Sequence, residues 1–299
     1  MKKLVILVVL ITLASCGTSR EESGRWVITV SIAPYKYFVK TISGGDFEVN
    51  VMVPPGSSPH SYEPYPDQIK KLENSLAYIA NGYLDFELAW IDKFKAINPR
   101  IPFLTIADSI NLLESSHHHS NYEEIGDDDI RDEDEISGVD PHIWLSPENG
   151  LMIAKEITDF LSLLNPGHSR LYNKNFELLA DSIKQLDAEA DSLFSLIENR
   201  RFIIYHPNLA YLAENYSLEE EAIEQEGKEP TFSSIKELID VAAEDGIKTV
   251  FIQREFDKRY ARSIAKDIGA EVVVIDPLSD NWLGSMKEII ESLYKSMER

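Results

Sequence analysis

One cysteine, Cys16, is the only thiol in this 299-residue chain. That excludes an intramolecular disulfide, a zinc site built from several thiolates and a Cys-ligated iron–sulfur cluster. Positive charge is also scarce: 29 Lys and Arg stand against 51 Asp and Glu, for a formal net charge of −22. Phosphate backbones are held by clustered Lys and Arg, so no nucleic acid is expected as a partner. The acid excess also disfavours an anionic membrane surface and is compatible with cations. Long apolar runs are missing too. The run from Leu4 to Ala14 has 11 residues and is broken only by Thr12, well short of the roughly 20 a spanning helix needs. What is present suffices for folding, because 43% hydrophobic and 10% aromatic residues support a core and argue against disorder. The length fits one large domain or two medium ones.

The short apolar run follows Met1-Lys2-Lys3 and has the form of a signal-peptide core. It ends at Leu13-Ala14-Ser15-Cys16-Gly17, which resembles the cleavage box of bacterial lipoproteins. The resemblance implies a signal peptide over residues 1–15, lipidation of Cys16 and a lipidated polar tether over residues 16–24. The protein is then expected to be exported and lipid-anchored to a bacterial membrane, facing the periplasm or the cell exterior. An ordinary secretory signal with an incidental cysteine is the alternative; a small-residue pair directly before the only Cys is the more specific arrangement.

Along the rest of the chain short apolar runs alternate with helix-period segments, the signature of an α/β fold. Strands are predicted at residues 26–32, 47–53, 77–80, 103–106, 202–205, 249–252 and 272–275. The last is apolar throughout, as a strand covered on both faces should be. Ser146-Pro147-Glu148 offers a helix N-cap, and Gly246 and Gly269 stand where two helices should stop. From Tyr172, apolar residues at 176, 179, 183, 186, 190, 193 and 197 recur at gaps of four and three. This spacing predicts one long amphipathic helix joining two lobes; a coiled-coil dimer seam is the competing explanation. Residues 114–135 hold ten acids, one Arg and the triplet His117-His118-His119. Nothing there could build a core, so a surface loop with auxiliary capture of divalent cations is expected.

Four residues outside that loop carry the chemistry. His60 follows a predicted strand across Pro54-Pro55-Gly56-Ser57-Ser58-Pro59, His206 ends another, and Asp276 ends the strand before Pro277. His142 lies in Asp140-Pro141-His142-Ile143-Trp144, just ahead of a helix. Ligands of open α/β sheets bind beyond the carboxyl ends of strands, so the four can converge in one cleft. Three imidazoles and a carboxylate make a competent shell for a divalent metal. Their spacing matches no short local zinc motif, and a lone His is as readily a packed or surface residue. His168, in a Pro-Gly turn, is taken as a surface residue.

The residues around them are more specific. Val53 to Pro64 resembles the first metal-ligand segment of the zinc/manganese ABC-transporter substrate-binding lipoproteins, and Asp140 to Pro147 resembles the second. His206-Pro207-Asn208-Leu209-Ala210-Tyr211, Glu229-Pro230-Thr231 and Ile275-Asp276-Pro277-Leu278 are similar to later segments of that family. Leu209, Ser217 and Trp282 depart from its usual Phe, Gly and Tyr. The resemblance implies two lobes, residues 25–168 and 202–299, each with a small parallel sheet flanked by helices. One backbone helix over residues 169–201 would join them, with the metal in the inter-lobe cleft. It implies Zn2+ held by His60, His142, His206 and Asp276 in a non-enzymatic monomer that serves an ABC permease and its ATPase. Mn2+ is less favoured, since His stands at position 206 and three imidazoles suit zinc. A manganese-binding homologue, an adhesin with the same fold, or a zinc hydrolase with three His and a water are the other readings. In the hydrolase case Glu63 or Asp140 would be the base.

Overall fold

The computed structural model describes residues 26–115, 138–224 and 230–298. The export segment, Cys16, His117, His118, His119 and Glu229 lie outside the described residues. Strands β1 (Trp26–Ile32), β2 (Phe47–Val53), β3 (Ala77–Ala80) and β4 (Phe103–Thr105) form a parallel sheet in the order β2-β1-β3-β4. Parallel neighbours need crossovers, and α1 (Ala33–Ser43), α2 (Pro66–Glu73) and α3 (Asp85–Ile97) lie along them. The chain then runs through α4 (Pro147–Leu164) and α5 (Ser169–Phe194) into a second sheet. There β5 (Arg201–Ile204), β6 (Glu219–Ala222), β7 (Thr249–Gln253) and β8 (Glu271–Ile275) take the order β6-β5-β7-β8, again parallel. Helices α6 (Ala210–Tyr216), α7 (Phe232–Glu244), α8 (Lys258–Ile268) and α9 (Trp282–Met297) complete the lobe. The expected α/β architecture of two lobes is the observed one, and both sheets share one strand order.

The periodic segment is the helix α5, whose buried side includes Tyr172, Leu179, Ile183, Leu186, Ala190 and Phe194. It packs against α1 and α4 of the first lobe and α6 and α9 of the second, so the seam is filled within the chain. At 26 residues it spans about 39 Å, at ~1.5 Å per residue. It stops at Phe194 rather than running on towards residue 201. Ile197 keeps the apolar rhythm but packs from the connection into β5, where its carbonyl accepts from Arg200 Nε (3.2 Å).

Two strand expectations are corrected. Glu219–Ala222 forms the unforeseen β6, because a sheet edge needs little β propensity and its glutamates find partners beside it. Arg201 on neighbouring β5 meets its glutamates, at 2.7 Å to Glu219 and 3.4 Å to Glu221. Strand β8 is not covered on both faces. It is the opposite edge, and Val274 is 42% exposed despite the continuous apolar run.

Helix ends behave as their residues dictate. Ser146 Oγ accepts from Asn149 N at 3.2 Å to cap α4, and Gly246 and Gly269 take φ of +65° and +66° past the ends of α7 and α8. At the end of α6 the same left-handed turn falls to Ser217, with φ +52°. A Cβ there costs roughly 1 kcal/mol. Ser217→Gly should therefore raise stability by up to about 1 kcal/mol without altering metal binding, as read from chemical unfolding and a zinc titration.

Candidate metal centre

Buried polar side chains hold the loops of His142 and His206, and a backbone bond to α3 holds that of His60. After β2 the Pro-rich segment cannot continue a ladder. It is fastened to the start of α3, where Phe86 N donates to Pro59 O (3.2 Å), and His60 N donates to Ser58 Oγ (3.3 Å). His142 follows Pro141, whose carbonyl accepts from Asn81 Nδ2 at 3.1 Å. Asn81 lies just past β3 and is itself fixed by the buried Glu87 carboxylate, which accepts from Asn81 N (2.8 Å), Gly82 N (2.7 Å) and Ser31 Oγ. His206 follows β5, and the fully buried Gln253 at the end of β7 grips its peptide from both sides. Gln253 Oε1 accepts from His206 N (3.4 Å) and Nε2 donates to His206 O (2.5 Å). Beyond it Glu220 Oε1 accepts from Asn208 N (3.1 Å) and Leu209 N (2.9 Å), where α6 begins. Burial, augmented by the charge of Asp140, pushes the Glu220 carboxyl up to about 7.

These loops bring His60, His142 and His206 together. One ring nitrogen of each lies within 4.8 Å of the others, and the ring centroids are 4.8–5.5 Å apart. Imidazole nitrogens on one tetrahedral Zn2+ stand about 3.3 Å from each other, so modest side-chain closure would suffice. Each Nδ1 faces a carboxylate on the outside. His60 Nδ1 lies 2.8 Å from Asp85 Oδ2 and His142 Nδ1 lies 2.9 Å from Asp140 Oδ1. His206 Nδ1 is within ionic reach of Glu224 Oε2 at 3.3 Å. A carboxylate only accepts, so it places the proton on Nδ1 and leaves the Nε2 lone pair for a cation.

Burial lowers His206 to about 4, against weaker opposition from Glu224, and so keeps the ring neutral. Burial alone would raise the Asp140 carboxyl. The charge and hydrogen bonds of His142 outweigh it and hold Asp140 below the usual carboxylate range. Among the described residues most buried polar atoms without a hydrogen-bond partner gather at this cleft: His206 Nε2, Asn208 Oδ1, Glu255 Oε2 and Asp276 Oδ1, while His206 Nδ1 and Glu224 Oε2 face each other at 3.3 Å as an ion pair without hydrogen-bond geometry. Orphaned acceptors are costly to bury, and a cation is the partner that this donor set fits.

Asp276 is placed differently from the histidines. It lies beyond β8 as expected, yet its carboxylate is not within the 4.8 Å group and instead pairs with Arg254 Nη1 at 3.0 Å. Sequence reasoning could not see a partner 22 residues away. It also missed Asp85, Glu224, Asn81 and Gln253; each follows or ends a strand and could have been flagged by the carboxyl-end rule that found the histidines. Asp140 steadies His142, whereas Glu63 is exposed. His168 is at the surface, paired with Asp46 at 2.5 Å.

Two indoles join the lobes beside this centre. Trp144 Nε1 donates to Pro277 O (2.8 Å), and Trp282 Nε1 donates to Trp144 O (2.7 Å). Tyr211 OH donates to Asp140 O at 2.8 Å. Trp282 lies so close on Gly150 that a Cβ there would stand 2.1 Å from the ring. Gly150→Ala should thus cost at least about 1–3 kcal/mol in unfolding free energy. Asp140→Ala should weaken zinc binding about 10–100-fold in a competition titration. Asp85→Ala should weaken it less, because Asp85 is 59% exposed.

The chain matches the family described as zinc-uptake complex component A, periplasmic, over residues 28–296. The zinc-binding lipoprotein AdcA of Streptococcus pneumoniae is 23% identical over 315 residues, which cover 100% of this chain and 62% of AdcA. This chain therefore spans less than two thirds of that relative. The metal ABC transporter substrate-binding lipoprotein FimA of Streptococcus parasanguinis is 26% identical, covering 85% of this chain and 80% of FimA. A crystal structure of ZnuA aligns with a TM-score of 0.81 at 33% identity, over 91% of this chain and 99% of that one. With the family match running through nearly all of both lobes, the chain belongs to the zinc-uptake complex component A family.

Proposed function

We propose that this protein is the extracytoplasmic zinc-binding component of a metal-uptake ABC transporter. It captures Zn2+ in the inter-lobe cleft and hands it to a membrane permease driven by an ATPase. The observation that carries this reading is the convergence of three imidazoles from two lobes within 4.8 Å, with a carboxylate behind each. His60, His142 and His206 are the ligands, with Asp276 as the fourth. Three neutral nitrogens favour Zn2+ over Mn2+, which prefers more carboxylate.

Cys16 carries the lipid that holds the protein at the membrane, a placement supported by the lipoprotein names of AdcA and FimA. Among the described residues no helix is long and apolar enough to cross a membrane. The triplet His117, His118 and His119 adds weak auxiliary capture. The protein acts as a monomer, since α5 fills its apolar seam internally, and it catalyses no reaction.

His142→Ala should weaken zinc affinity by more than the roughly 10–100-fold expected of an outer partner; an unchanged titration would remove His142 from the site. Protons compete for imidazole nitrogens, so affinity should fall with pH. A free imidazole is half protonated at about pH 6.5, whereas burial lowers that midpoint for His206 to about 4. A flat zinc titration from pH 8 to 4 would exclude ligation by histidine.

A further inference from the structure

The zinc reading gives no role to one cation at the rim of the cleft. Arg254 follows β7 and is 63% exposed, with Nη1 3.0 Å from Asp276 Oδ2. Its peptide N–H donates to Ile275 O at 3.0 Å, so the loops leaving β7 and β8 are joined at adjacent residues. The Asp276 backbone is tied as well, because its carbonyl accepts from Ser285 Oγ at 2.5 Å. The carboxylate is engaged unequally: Oδ2 meets the guanidinium, while Oδ1 is buried without a hydrogen-bond partner. Neither oxygen lies within the 4.8 Å group formed by the three histidines.

We propose that Arg254 competes with the bound ion for Asp276. The guanidinium holds the carboxylate aside from the three imidazoles, and Zn2+ must draw Asp276 off Arg254 to gain its fourth ligand. When Arg254 takes the carboxylate back, the ion loses that ligand and leaves. Arg254 thereby sets affinity and release without touching the metal. This inference rests on the zinc reading. The physical balance suits a carrier, because a carboxylate paired with so exposed a guanidinium is held weakly, and a dication at coordinating distance attracts it more strongly. Glu255, the next residue, presents another buried carboxylate oxygen without a hydrogen-bond partner and is the rival for the fourth position.

The test is a zinc titration against a chelating dye, with chelator-driven release rates. It uses the full chain as wild type, Arg254→Gln, Asp276→Asn, Glu255→Gln and the Arg254→Gln/Asp276→Asn double variant, with unfolding midpoints confirming that each is folded. Arg254→Gln should tighten binding about two- to five-fold, mainly by slowing release, and Asp276→Asn should weaken it. In the double variant the tightening should vanish. Tightening that persists without the Asp276 charge would mean general repulsion of the dication and would overturn the proposal. Weaker or unchanged binding in Arg254→Gln would reduce Arg254 to a brace for the loop, and loss of affinity in Glu255→Gln but not Asp276→Asn would move the fourth ligand to Glu255; either result overturns it. Wild-type protein that binds no zinc would instead refute the zinc reading itself.

Discussion

An imidazole can coordinate a cation only through a nitrogen that has given up its proton, and a flexible side chain does not choose which nitrogen that is. Here the choice is made from behind. Asp85, Asp140 and Glu224 lie against the outer nitrogens of His60, His142 and His206. They fix the tautomer, orient the rings and bring negative charge close to where a dication would sit. The remaining devices serve that arrangement at one remove: Gln253 grips the His206 peptide, Asn81 holds Pro141, and Glu87 holds Asn81. The cluster thus depends on a layer of carboxylates and amides as much as on the histidines they support.

The lobes bearing these loops share a core. One hydrophobic cluster runs from the first sheet through α4 and α5 into α9 and the inner face of the second sheet. The Trp144 and Trp282 indoles close it by bonding to carbonyls across the boundary. Opening the cleft as a hinge would expose part of that core and orphan both indoles, each a cost to opening. Side-chain rearrangement at the rim is the cheaper way to let an ion go, and Arg254 and Asp276 are placed to provide it.

Much of this was legible in the sequence, for identifiable reasons. Buried parallel strands such as Ala77–Ala80 are short apolar runs, and α5 declares itself by the spacing of its apolar residues. The three clustered histidines were found because strand ends are where α/β folds bind. The edges were not legible. β6 is an acidic strand tolerated because its glutamates meet Arg201 or the backbone where α6 begins, and β8 looks buried while Val274 is exposed. Asp140 was legible two residues from His142, whereas Asp85, Glu224 and the partner of Asp276 were hidden for a different reason. Their roles exist only through contacts between distant segments, which composition and periodicity do not encode.

The two faces of the second sheet also differ. Ile203, Val250 and Ile252 pack with residues of α7 and α8 in a small cluster separate from the main core, whereas Phe202, Ile204 and Phe251 belong to the main one. The outer layer of that lobe is thus a separate packing unit, of the kind that opens locally while the rest of a fold stays assembled. In native-state hydrogen exchange, amides of α7 and α8 should lose protection well before those of α5 and α9. Damage confined to that layer would then shorten the protein's lifetime against proteases and leave its grip on the ion intact.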